Sequence, residues 1–151
     1  MTRDEIITEL KKYFKIEELV CNHTLERFGE ASWQFLDTDF LHCLLLLRRD
    51  ILGVPMTCNT HARGIHQRGL RCNRCEMVKG KTKAYLSAHV LGKGADFTLH
   101  GMNMSTAHKR IKTLPGVFPC PVRIEGGVNW LHFDVLPQWG VKQKVYEFRV
   151  G

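Results

Sequence analysis

The chain has no apolar run near the roughly 20 residues needed to cross a bilayer. Its longest leucine run, Leu44 to Leu47, meets Arg48 at once. It has no internal repeat and no low-complexity tract. With 5 Pro and 13 Gly in 151 residues, collagen-like and linker-like readings fail. The opening Met1-Thr-Arg-Asp-Glu lacks the basic-then-apolar pattern of a signal peptide, so the expectation is a chain that starts in a cytosol, where thiols stay reduced. Acidic residues are the scarce charge: 15 Asp+Glu stand against 22 Lys+Arg, a net +7. That excess points to an anionic partner, either nucleic acid or a cell-envelope polymer. What is present in quantity is a globular composition, 44% hydrophobic with 25% charged, which excludes a disordered chain and fits one domain over residues 1–151.

Thr2 and Glu5 have capping-box spacing, and Ile6, Ile7, Leu10 and Phe14 then share a helical face. A second helix is expected from Asp37 to Leu52, capped by Asp37, carrying a broad apolar face and stopped by Gly53 and Pro55. Residues 54–58 suggest a short strand. Residues 59–86 are polar and aperiodic, a long loop of the kind that tends to be functional. Strands are expected at 95–99, 122–125, 130–135 and 145–150, with a helix from Ser105 to Thr113 and a tight turn at Gly126-Gly127. The last strand suits a sheet edge. Helices first and strands later imply an α+β domain: a small antiparallel sheet with N-terminal helices packed on it.

Two segments carry chemistry: Ser87-Ala-His89-Val-Leu-Gly92-Lys-Gly94-Ala95-Asp96, and Trp130-Leu-His132-Phe-Asp134-Val135. Strand alternation puts Ala95, Phe97 and Leu99 on one face and Asp96 and Thr98 on the other. It likewise separates Leu131, Phe133 and Val135 from Trp130, His132 and Asp134. If the two strands are neighbours, Asp96 and His132 project into one cleft, and Gly92 and Gly94 let the chain after His89 fold back toward it. Two imidazoles and one carboxylate then form a three-ligand zinc site whose open fourth position suits catalysis.

These segments resemble the zinc D-Ala-D-Ala carboxypeptidase and L-alanyl-D-glutamate peptidase family, which shares its fold with the Hedgehog signalling domain. The family motif is Ser-x-His-x-x-Gly-x-Ala-x-Asp followed by a later Trp-x-His. Here Gly94 stands where Ala is usual, and the resemblance covers roughly residues 40–136. It implies His89, Asp96 and His132 as zinc ligands, with Ser87 and Trp130 near the metal or substrate. Many members place an acid three residues before the last His, but here that residue is Asn129, whose amide cannot take a proton from water at neutral pH. Glu125, before the Gly126-Gly127 turn, and Asp134 remain. Asp134 would be either the base or a partner orienting His132. Branches that supply an acid from further upstream favour Glu125. For the cation that stabilises the oxyanion, the resemblance points to an arginine before the first motif. Arg63 and Arg68 are the candidates, with Arg71 and Arg74 also present.

Cys72-Asn-Arg-Cys75 has the spacing of half a zinc knuckle, so a second, structural ion is conceivable, with Cys58, His61, His66 or Cys120 as completing ligands. The basic loop around it motivates a rival reading as a zinc-stabilised nucleic-acid-binding module. Against that, the loop lacks interleaved aromatics, with Tyr85 alone at its end. An inactive zinc domain that binds cell wall is a third reading. The function expected first is zinc-dependent cleavage of peptidoglycan stem peptides by a monomer that does not insert in membranes. Such a protein would accumulate in the cytoplasm until release to the wall, as phage lysis enzymes do.

Overall fold

The computed structural model describes residues 1–150. Its N-terminal part is helical. Helix α1 (Arg3–Leu10) starts at the expected capping box, with the Glu5 amide donating to Thr2 Oγ1 and the Thr2 amide to Glu5 Oε2. Two short helices follow, α2 (Ile16–Leu19) and α3 (Asn22–Phe28), then a 3-10 segment Gly29–Phe35. Residues 15–36 carry no element signal in the sequence. These pieces span only one or two turns each, too short for a helical period to register.

Helix α4 (Thr38–Leu46) continues as a π-helical segment, Leu47–Leu52, and stops at Gly53, which is left-handed at φ 65. Together they cover the expected Asp37–Leu52 span. Asp37 caps it by accepting from the Phe40 amide at 3.0 Å. The same carboxylate accepts from Lys93 Nζ at 2.9 Å, and the Asp37 amide donates to the Gly92 carbonyl. The start of the main core helix is thereby tied to the glycine turn that follows His89. Gly92 is required there: its φ is +67, and a Cβ would lie 2.2 Å from the Phe35 carbonyl oxygen.

The strands are β1 (Met56–Thr57), β2 (Gly94–Leu99), β3 (Val122–Glu125), β4 (Leu131–Asp134) and β5 (Val145–Phe148), with helix α5 (Met104–Thr113) between β2 and β3. They form one sheet in the order β1-β2-β4-β3-β5. The chain is therefore α+β as expected, but the sheet is mixed and not antiparallel throughout, because β5 runs parallel to β3. Alternation along a strand reports its faces and not its direction, so residues 145–148 could not reveal this. β5 lies at the sheet edge, as its alternation suggests. The Gly126-Gly127 turn is longer than expected, since residues 126–130 all lie between β3 and β4.

One core joins the helices to the sheet. Phe40, Leu41, Leu44 and Leu45 of α4 and Ile6 and Leu10 of α1 are buried with Ala95 and Phe97 of β2 and Leu131 and Phe133 of β4. Phe14 and Phe97 meet with ring centroids 5.9 Å apart. Among the described residues no helix is long and apolar enough to cross a membrane.

Burial alone would raise the Asp37 carboxyl, but Lys93 and the Phe40 amide outweigh it and hold its pKa below the usual carboxylate range. Its stabilisation is present above the unfolded pKa of about 4 and is lost as pH falls through the lower folded value. Asp37→Ala should cost about 1–2 kcal/mol at neutral pH, read from urea denaturation, with the deficit against the native chain shrinking in acid.

Candidate metal centre

β2 and β4 are neighbours, and their register pairs Asp96 directly with His132. The pairing brings the two motifs into one cluster. The ligand atoms of His89, Asp96 and His132 all lie within 4.8 Å of one another. His132 Nδ1 donates to Asp96 Oδ1 at 2.8 Å, and His89 Nε2 lies 3.3 Å from Asp96 Oδ2. Both histidines are buried at 6% exposure, on the sheet face opposite Phe97 and Phe133.

Each imidazole is oriented through its other nitrogen. His89 Nδ1 donates to the Gly69 carbonyl at 2.9 Å, which leaves Nε2 as the atom facing Asp96. His132 Nε2 donates to Asp134 Oδ2 at 2.6 Å. Asp134 is itself held by both arms of Arg123, at 2.8 and 2.9 Å, and is fully buried. Asp134 thus holds the ring of His132, and both its oxygens are engaged by His132 and Arg123. The arrangement matches metal-binding histidines generally, whose second ring nitrogen is held by a carboxylate or a backbone carbonyl.

The charges are strongly coupled. Burial by itself would strip the proton from His132, but the hydrogen bonds to Asp134 and Asp96 prevail and push its pKa up to about 9. Burial would likewise raise Asp96, yet the two imidazoles hold it well below the usual carboxylate range. Asp134 is lowered too, by His132 and Arg123 acting against burial. The cluster is thus built around a positive charge between Asp96 and the two rings. Two His nitrogens with one carboxylate oxygen are also a donor set that suits zinc.

Gly94, where the family motif has Ala, has a local cause. It pairs with Asp134, and a Cβ on it would lie 2.5 Å from the Asp134 Cβ and 3.0 Å from that of Ala88. The glycine is what allows β2 to approach the carboxylate that orients His132.

The other expected residues are distributed as follows. Ser87 Oγ accepts from the Val90 amide at 3.3 Å, so it shapes the turn carrying His89. Trp130 is half-buried just before β4, and Asn129 beside it is exposed. Glu125 is half-buried on β3, and extending the β3–β4 register beyond Ile124↔Phe133 sets it opposite His132. Among the described residues it makes no ion pair and no side-chain hydrogen bond. Arg68 Nη1 donates to Thr98 Oγ1 at 2.9 Å, on the same face of β2 as Asp96. Arg63 is exposed on a 3-10 turn, His61–Arg63. Arg71 is buried, and its Nη2 lies 3.8 Å from Asp96 Oδ2.

Sequence reasoning missed Arg123 and Phe148. The Phe148 ring meets His132 edge-on at 5.5 Å and carries the Arg123 guanidinium 4.6 Å from its centroid. Neither residue lies in a motif, and only the parallel pairing of β5 brings Phe148 to the site.

Cys72 and Cys75 are also gathered, but with partners other than those expected. Their companions are Cys21 and His23, and the four ligand atoms lie within 4.8 Å of one another. Cys58 is fully buried next to β1, and Cys120 Sγ lies 3.5 Å from Cys43 Sγ. The only sequence signal for these companions is Cys21-x-His23, about fifty positions upstream.

Comparison with protein-family models, curated proteins and solved structures gives no match.

Gly94→Ala, although it restores the residue usual in the motif, should destabilise the fold by about 1–3 kcal/mol through overpacking against Asp134. Denaturant unfolding of the variant beside the native chain measures this, and an unchanged midpoint would contradict the packing argument.

Proposed function

We propose that this chain is a zinc peptidase that cleaves peptidoglycan stem peptides, with a fold of the D-Ala/Hedgehog metallopeptidase type. One observation carries the reading: His89, Asp96 and His132 converge in the order of the family motif, with both outer imidazole nitrogens held by acceptors. When bound, zinc supplies Lewis acidity and activates water at neutral pH.

The chain's own residues supply the rest. Glu125 is the general base and then hands the proton to the leaving amine. In support, it shares the face of His132 and has a carboxylate not engaged elsewhere among the described residues. Arg68 is the cation that stabilises the developing oxyanion: its Nη1 is anchored by Thr98 Oγ1, two residues along the face from Asp96, and by the Thr57 and Cys58 carbonyls, and its Nη2 makes no hydrogen bond among the described residues. Arg71 stays a structural partner of Asp96, and its Nε is already spent on the Gln67 carbonyl at 2.6 Å. A groove of about 380 Å³ runs beside Arg71, Val90 and Leu91 and is floored by Phe28 and Phe35. It offers the peptide an apolar wall joined to the cluster through Arg71, whose guanidinium faces Asp96. The net charge of +7 favours encounter with anionic wall polymers.

His89→Ala and His132→Ala should each lose zinc from this centre and lose cleavage, scored by metal analysis and by mass spectrometry of muropeptides. Product masses also name the bond cut. Retained full activity in either variant refutes the ligand assignment, and salt-sensitive DNA binding with stem peptides left intact refutes the peptidase. Glu125→Gln should keep its zinc and lose at least about a hundredfold in turnover. An active Glu125→Gln protein would move the base elsewhere.

A further inference from the structure

We propose that Cys21, His23, Cys72 and Cys75 hold a second, permanent zinc ion that clamps the strap of chain orienting His89 and Asp96.

The ligand geometry fits. With Zn–S near 2.3 Å and Zn–N near 2.05 Å, tetrahedral edges are about 3.8 Å between two sulfurs and about 3.6 Å between sulfur and nitrogen. The Cys72 and Cys75 sulfurs are 4.0 Å apart, and they lie 3.6 and 3.8 Å from His23 Nδ1. All six cysteines are free thiols, so no disulfide competes for these sulfurs. The Arg74 amide donates to Cys72 Sγ at 3.4 Å, a bond that supports a thiolate in a Cys-x-x-Cys turn. Cys21 and Cys75 are buried and His23 and Cys72 half-buried. Four protein ligands leave no open position, which marks a structural site and not a catalytic one.

What the ion would clamp follows from residues 68–72. The Asp96 amide donates to the Arg68 carbonyl at 2.7 Å. The Gly69 carbonyl receives His89 Nδ1. The Arg71 amide donates to the His89 carbonyl at 3.2 Å, and its guanidinium faces Asp96. The next residue is the ligand Cys72. On its other side the strap pairs with the α2–α3 junction: the Leu70 amide donates to the Leu19 carbonyl at 2.9 Å, and the Cys21 amide to that of Leu70 at 3.0 Å. These two bonds and a metal link between Cys21 and Cys72 close one small ring. Without the metal link the strap belongs to the long loop, with little regular structure to hold it.

The test begins with X-ray absorption at the zinc edge on the His89→Ala/His132→Ala double variant, which reads the second site alone and needs no activity. The expected result is one zinc per chain with three sulfurs and one nitrogen around it. No retained zinc, or a shell of nitrogen and oxygen only, overturns the proposal. Cobalt substitution should give sulfur-to-cobalt charge-transfer bands in the double variant that disappear in Cys72→Ser/Cys75→Ser. The clamping half rests on the first centre binding a metal, so it is read separately. Cys21→Ser should exchange the Leu70 and Arg71 amides faster and weaken zinc at the His89 centre by about 10- to 100-fold. Unchanged exchange and affinity would reduce the second ion to a bystander. Loss of cleavage with both metals in place would instead count against the peptidase reading alone.

Discussion

The pairing of Asp96 with His132 across β2 and β4 is the interaction on which the rest of the structure depends. It places a carboxylate and an imidazole, with a second imidazole beside them, in a largely desolvated position. Unpaired charges there would be costly, so every atom of the cluster is given a partner. Arg123 neutralises Asp134, Asp134 holds His132, the Gly69 carbonyl holds His89, and Phe148 covers the ring that β4 presents. Gly94 lacks a side chain because β2 must come close enough for this arrangement to form. The apolar face of the same two strands packs on α1 and α4, so the residues that build the core also set the height of the site above it.

The long loop is the second constraint. Its composition is that of a solvated segment, yet Leu70, Arg71 and Cys75 are buried within it. It works as a strap between the N-terminal helices and the cluster, with backbone groups of Arg68, Gly69 and Arg71 directed at Asp96 and His89. A segment with so little regular structure needs a constraint other than a ladder of hydrogen bonds. Two groups of side chains able to hold a metal border this strap: Cys21, His23, Cys72 and Cys75 on one side, and His89, Asp96 and His132 on the other.

Much of the fold was legible because it rests on local periodicity. Asp37 followed by the leucine-rich face specified α4, and the Thr2/Glu5 box specified the start of α1. Alternation in β2 and β4 separated core from site. The three candidate ligands of the first centre were legible because the two motif segments are each compact. Less legible were residues whose role depends on strand direction or order. Phe148 reaches His132 only because β5 runs parallel to β3, and Glu125 faces His132 only through the β3–β4 register.

The sequence by itself determined which face of each strand is polar, where the main helices begin, and which three residues could share one metal. The first two follow from spacing within a few residues, where bond geometry leaves the chain little choice; the three candidate ligands were named by the motif resemblance, and only the pairing of β2 with β4 brings Asp96 to His132. Tertiary structure decided the mixed sheet, the commitment of Asp134 to His132 and Arg123, and the meeting of Cys21 and His23 with Cys72 and Cys75. His23 and Cys72 are 49 positions apart. Nothing local in either segment encodes that distance. It is set by the pairing of the strap with the α2–α3 junction, a contact between segments far apart in the chain.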